Sequence, residues 1–414
     1  MDTTSPEPQA SDGAAPQGLR DESRHGSGPE DGSRRDVSAP LDTRARTGMR
    51  DDAHNPATAV PDPIADSTRP GENFRGLAGP RAEKAVSLAL QGGGSHGAFT
   101  WGVLDALIED GRVAFEAVTG ASAGAMNAVV LVDGWLAGGP DGARAALEKF
   151  WREASLDADL RPSLKGLIDG LFRFWKGNPF FEAWVKALNP GPYATNPFNF
   201  NPLRDALEQT VDFDRLRAAD TAKVFVSATN VWTGKLAVFG RDSLTVDHLM
   251  ASACLPTVFQ AVEIDGVPYW DGGYLGNPAL YPLHEASTRD ILLVQINPVE
   301  RRETPRSASD IQDRLNEITF NANLMRELRS IDFVHGLIDE GGQGQVPGLE
   351  RVFLHRIDGT DSLDGFAASS RTDARWGMIE RLRDKGRAAA KVWLAEGYDE
   401  VGVRCTLDLK QAYQ

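Results

Sequence analysis

Residues 85–137 alternate between two hydrophobic periods. "AVSLAL" (85–90) is a short apolar run suited to a buried strand, and "HGAFTWGVLDALIED" (96–110) sets Phe99, Val103, Leu104 and Leu107 at helical spacing. "FEAVTG" (115–120) reads as a second strand and "AGAMNAVVLVDGWLA" (123–137) as a second helix. Strand, helix, strand, helix is the order of a parallel sheet wrapped by helices. The expected fold class is therefore α/β. Further strands are expected at "KVFVSATNV" (223–231), "KLAVF" (235–239), "DILLVQI" (290–296) and "RVFLHRI" (351–357). Helices are expected over 308–339 and over 373–397, the second closed by Gly397 as a C-cap.

The first 80 residues differ from the rest. They contain no Lys, one Ile (Ile64) and one aromatic residue (Phe74), and are rich in Pro, Gly, Ser, Asp and Arg. Such a segment buries too little apolar surface to offset its ordering entropy, so 1–80 is expected to be a disordered tail. "SRRDVSAPL" (33–41) resembles a twin-arginine signal, but no apolar stretch follows it. The whole chain of 414 residues carries a net charge of −15, which excludes nonspecific nucleic-acid binding as a class. Two cysteines, Cys254 and Cys405, make neither a disulfide framework nor a metal spacing. A reducing, cytoplasmic location is expected, with no cofactor and no metal. No apolar run approaches the ~18 residues of a membrane span.

Two glycine-flanked turns follow the first two strands. The spacing Gly92-x-Gly94-x-x-Gly97 fits a dinucleotide fingerprint, and equally a backbone cradle for the oxyanion of an acyl-transfer intermediate. A dinucleotide fold wants an acid at the end of the second strand, to hold the ribose. Here that strand ends in Thr119 and runs into "GASAG" (120–124), a G-x-S-x-G. A serine between strand and helix, with small neighbours, can sit on a sharp elbow and project its hydroxyl. Gly92 and Ser122 stand at equivalent strand ends of one β-α-β unit, so both turns open on the same sheet edge. A serine nucleophile needs a base, and Asp271 in "GVPYWDGGYLGN" (266–277) is the candidate. By itself that Asp-Gly is equally an ordinary turn.

Together "QGGGSHGAF", "GASAG" and "DGG" resemble the patatin-like phospholipase family, related to the cytosolic calcium-independent phospholipases A2. "SATNVWTGKLAVF", the run 244–273 and the Asn-Pro of "GNPAL" share the resemblance, which covers about 85–300. It implies a three-layer α/β/α domain over 81–300 with a mainly parallel sheet, and a mainly helical extension, 301–414, packed on the same domain. It implies hydrolysis of lipid acyl esters by a Ser122–Asp271 dyad, with no catalytic histidine. Backbone amides of Gly92, Gly93, Gly94 and Ala123 would hold the oxyanion. The loop departs from the family at His96, where Arg or Lys is usual.

Other readings fit the same residues. The order Ser122, Asp271, His284 matches a Ser-His-Asp esterase. A noncatalytic lipid- or acyl-binding regulator needs no chemistry at all. The span 164–193 packs Phe172, Phe174, Trp175, Phe180, Phe181 and Trp184 among basic residues that outnumber the acidic ones. Phe174, Trp175, Phe181 and Trp184 suit a transient, peripheral membrane contact or a lid. They suit the core of a helical insert equally well.

Overall fold

The computed structural model describes residues 76–155, 191–196, 199, 201–340, 350–363 and 374–413. All of them lie within one compact unit, Asp66–Gln414. The aromatic span from Phe172 to Trp184 and most of the N-terminal segment lie outside the described residues.

Eight strands form one sheet: β1 (Lys84–Leu90), β2 (Val113–Ala121), β3 (Lys223–Asn230), β4 (Lys235–Gly240), β5 (Val262–Ile264), β6 (Val267–Asp271), β7 (Asp290–Gln295) and β8 (Phe353–Asp358). Their order is β5-β6-β3-β2-β1-β7-β8, with β4 added on β3. The pairs β1–β2, β1–β7, β2–β3 and β7–β8 are parallel, and β3–β4, β3–β6 and β5–β6 antiparallel. β1 and β7 read as near-continuous apolar runs because helices cover both faces of a parallel sheet.

The side-chain period of two splits the core. Val86, Leu88, Leu90, Leu292 and Val294 point into one cluster, with helices α1 (Gly97–Asp110) and α2 (Ala123–Glu153). Ala89, Ala117, Ile291, Leu293 and Leu354 point into a second cluster, with Leu324 and Leu328. Those two leucines belong to α4 (Ala308–Glu340). A shorter helix, α3 (Val246–Ser252), packs in the first cluster. The result is the three-layer α/β/α arrangement with a mainly parallel sheet.

The C-terminal region completes this fold. β8 extends the sheet beside β7, and helix α5 (Trp376–Glu396) covers the outer side of α1. That cover explains why α1 is buried on nearly all sides. The two helices cross at Gly102 and Gly386. A Cβ at Gly102 would overlap the Arg383 carbonyl, and one at Gly386 the Phe99 carbonyl. Lys84 at the start of β1 donates to the carbonyls of Tyr398, Asp399 and Val401 at 3.0, 2.9 and 3.0 Å.

One expectation needs correction. The tail boundary at residue 80 falls too late. Leu77 is 1% exposed and bridges Phe115, with both backbone hydrogen bonds made, 2.8 and 3.0 Å. A compositional average over 1–80 hides one leucine that docks in the core.

Candidate active site

Strand β3 assembles the site. At Ser227 it pairs with Ala121 of β2, and at Ala228 with Asp271 of β6. β4 pairs with residues 225–230 and overlaps both partners, so it must occupy the opposite edge. β2 and β6 therefore share one edge of β3, and β6 begins where β2 leaves. Ser122, the next residue of the chain after Ala121, and Asp271 come out as neighbours at the carboxyl end of the sheet. Open α/β sheets place ligands at that end.

Ser122 sits at φ 51°, ψ −125°, a conformation that side chains rarely adopt. It is the N-cap of α2 and so sits at the positive end of that helix. The elbow is tight on both sides. A Cβ at Gly120 would come within 2.5 Å of the Gly124 backbone, and one at Gly124 would overlap the Leu90 carbonyl. The Ser122 amide donates to Ser252 Oγ, fully buried at the end of α3, at 2.9 Å.

Asp271 is 1% exposed. Its Oδ1 accepts from the Gly273 amide at 2.7 Å. Its backbone is fixed by Cys254 and Thr229. Oδ2 is buried and has no hydrogen bond of ordinary geometry, yet the Ser122 hydroxyl is near enough to favour the ionised carboxylate. Burial outweighs that help and the Gly273 bond, and pushes Asp271 up to about 7. Burial and the nearby Asp271 charge push the Cys254 thiol to about 12, which leaves it an inert core group.

The glycine loop lies against the elbow. A Cβ at Gly92 would stand 2.7 Å from Ser122 Cβ, so only glycine allows this approach. The Gly92 amide donates to Asn277 Oδ1 at 2.6 Å. As the loop stands, that amide is taken, which corrects the donor role expected for Gly92. Among the described residues, the amides of Gly93 and Gly94 have no such protein acceptor. Ala123 opens α2, where a helix leaves its first amides unpaired.

His284 does not join the site. It is exposed, with Nδ1 at 2.5 Å from the Tyr281 carbonyl. Its neighbour Glu285 binds Lys223, at the amino end of β3. Lys223 is four residues from Ser227, about 13 Å along a strand. The Ser-His-Asp arrangement fails on that separation. His96 is buried just before α1. Phe174, Trp175, Phe181 and Trp184 lie outside the described residues.

Several residues at the site carry no local sequence signal. Ser252 lies in a run of small residues, "ASAC". Gln91, Asn297 and Asn321 are polar residues beside or within apolar elements. Asn277 and Asn297 each precede a proline, but so do five other asparagines of the chain, so nothing local pairs the two.

Among the described residues, no helix is long and apolar enough to cross a membrane. Residues 88–286 match the family model of the patatin-like phospholipases. Among solved structures, the chain is similar to VipD from Legionella pneumophila, at 16% identity over 77% of this chain and 67% of that one, with a TM-score of 0.35. It is also similar to ExoU–SpcU, the heterodimeric complex from the type III secretion system of Pseudomonas aeruginosa. There the identity is 17% and the TM-score 0.30; the match covers 82% of this chain and 61% of the other. No curated protein matches the chain.

Proposed function

Residues 88–286 are a domain of the patatin-like phospholipase family, and from that premise we propose that the chain hydrolyses lipid acyl esters through Ser122 and Asp271. Asp271 Oδ2 takes the Ser122 proton as Oγ attacks the acyl carbon. The amides of Gly93, Gly94 and Ala123 receive the oxyanion, while Gly92 provides the close approach. Collapse breaks the ester bond, and the leaving alcohol takes the proton from Asp271. Water then attacks the acyl-serine, giving its proton to Asp271. The acid departs and Ser122 recovers its proton.

One observation carries this reading. A fully buried carboxylate with an unpartnered oxygen stands beside a strained serine elbow. A carboxylate near its ordinary value is a poor base for serine, and one raised to about 7 is far better matched to neutral pH. Fluorophosphonate labelling tests the nucleophile. It should modify Ser122 in the native chain and fail in Ser122→Ala. A panel of phospholipids, lysophospholipids and simple esters, with Ser122→Ala as control, identifies the substrate.

The aromatic and basic residues of 164–193 support a second element of the proposal, transient contact with a lipid surface. Phe174→Ala with Trp175→Ala should weaken vesicle binding and spare turnover of a soluble short-chain ester. Parallel loss of both, together with the melting temperature, overturns that assignment.

A further inference from the structure

Gly92 is gripped at both ends of its backbone. Its amide donates to Asn277 Oδ1 at 2.6 Å. Its carbonyl accepts from Asn297 Nδ2 at 2.7 Å, and from Asn277 Nδ2 at a longer 3.4 Å. The Asn277 carboxamide thus pairs with one peptide residue much as a neighbouring strand would. β1 ends at Leu90, and two side chains hold the chain just beyond it.

Those side chains are themselves locked. Gln91 Oε1 accepts from the Ile296 amide, the Asn297 amide and Asn297 Nδ2 at 2.9, 2.9 and 3.1 Å. Gln91 Nε2 donates to the Asn277 carbonyl at 3.3 Å and to Asn321 Oδ1 at 3.1 Å. Asn321 Nδ2 donates in turn to the Pro298 carbonyl at 3.0 Å. Gln91, Asn277 and Asn297 are fully buried, and Asn321 is 4% exposed. Asn297 Nδ2 serves two acceptors, so its amide orientation is forced, and Asn297 Oδ1 is left buried without a partner beside Gly93. A buried orphan acceptor persists only where other contacts over-determine the arrangement.

We infer that Asn277 and Asn297 are positioning residues that clamp the Gly92 peptide and so aim the Gly93 and Gly94 amides at the acyl oxygen on Ser122. The inference rests on the hydrolase reading above. It adds a role for the chain beyond the family domain, because Asn297 and Asn321 lie outside 88–286, and Asn321 stands on α4. The clamp costs nothing at the moment of reaction. Oxyanion donors act by being fixed before charge develops, and a glycine-rich loop has no stiffness of its own. Aspartate cannot replace either asparagine, because it has no donor for the Gly92 carbonyl and would set a negative charge beside the oxyanion.

The test uses the full chain with Asn277→Ala, Asn277→Asp, Asn297→Ala and Asn321→Ala, each normalised to active sites by fluorophosphonate titration. On a soluble ester, kcat should fall roughly 10- to 100-fold in the Asn277 and Asn297 variants, short of the ~10²–10³ lost with a whole oxyanion donor. KM should stay within about twofold, because the interaction is made in the transition state. Affinity for a trifluoromethyl ketone should fall in step with kcat/KM, and Asn321→Ala should show the same pattern more weakly. Unchanged kcat per titrated site, with only a lower melting temperature, overturns the clamp. A second measurement keeps it decidable if the native chain labels at no serine and the hydrolase reading fails. Hydrogen exchange in a peptide spanning 91–97 should accelerate selectively in the folded variants, and unchanged exchange there also overturns the clamp.

Discussion

Ala121 and Asp271 pair with consecutive residues of one strand, Ser227 and Ala228 of β3. The serine that follows Ala121 and the carboxylate of Asp271 come from segments far apart in the chain, and a strand that contains neither brings them together. Register of this kind is rigid, because slipping β6 by one residue would turn Asp271 to the other face of the sheet.

The pH dependence of turnover follows from the environment of Asp271. The base must be ionised to accept the serine proton. With the carboxyl raised to about 7 by burial, kcat on a soluble ester should rise with pH and level off above about 7. On the proposed dyad, His96→Ala and His284→Ala should keep both the limb and substantial activity. An acid limb near the ordinary carboxylate value of about 4, or one that moves with His284, would falsify the assignment.

The elbow separates chemistry from strain. Ser122→Ala and Ser122→Gly should both lose nearly all esterase activity, for want of a group to form the acyl-enzyme. They should differ in stability. At φ 51° alanine keeps the backbone penalty and glycine does not, so the glycine variant should be the more stable by about 1 kcal/mol. Urea unfolding of the two variants measures the difference. Equal stabilities would mean that the elbow stores no backbone strain.

Local patterns reveal the elements, and long-range pairing reveals the site. β1, β2, β3, β7 and β8 are apolar runs bounded by turn residues, and α1, α2, α4 and α5 keep helical spacing, so each is legible alone. The serine elbow is legible because its steric demand falls on residues 120 and 124, within one motif. The hairpin of β5 and β6 turns on Asp265 and Gly266, both at positive φ, and an Asp-Gly between short apolar runs is its sequence signal. The three residues of β5 are too few to show alternation. The clamp is illegible, because Gln91, Asn277, Asn297 and Asn321 span 230 positions and no local pattern says that they meet. Leu77 escapes for the opposite reason, as a single apolar residue at the end of a polar segment.

The C-terminal region should behave as core. Gly386→Ala would drive a Cβ into the Phe99 carbonyl, a backbone atom that cannot step aside without moving α1. A loss of about 1–3 kcal/mol is expected, the range for overpacking. Gly377→Ala, in the same helix and with open space around it, should be neutral or gain about 0.5 kcal/mol. Thermal melts of the two variants decide. Similar effects at both positions would show that α5 does not press on α1 as described.

Asp271 also sets a sign for stability against pH. Its folded value, about 7, lies above the ordinary value of 3.8. A carboxyl raised on folding contributes most below its unfolded value, and that contribution is lost as pH rises through the folded value. Between the two, the folded chain holds a proton that the unfolded chain has released, so stability falls as pH climbs. Above about 7 both states are ionised and the penalty is constant, at most a few kcal/mol. Asp271→Asn removes the ionisation and can keep the Gly273 bond through its Oδ1. The stability gap between this variant and the native chain should therefore be small near pH ~4, widen in favour of the variant toward pH ~7, and flatten beyond. Melting both proteins across that range cancels the other titrating groups. The same substitution should abolish turnover nearly as fully as Ser122→Ala, and the double variant should be little worse than either, since the pair acts as a unit. A gap that stays flat with pH would show that Asp271 is not raised, and would remove the physical basis for its role as base.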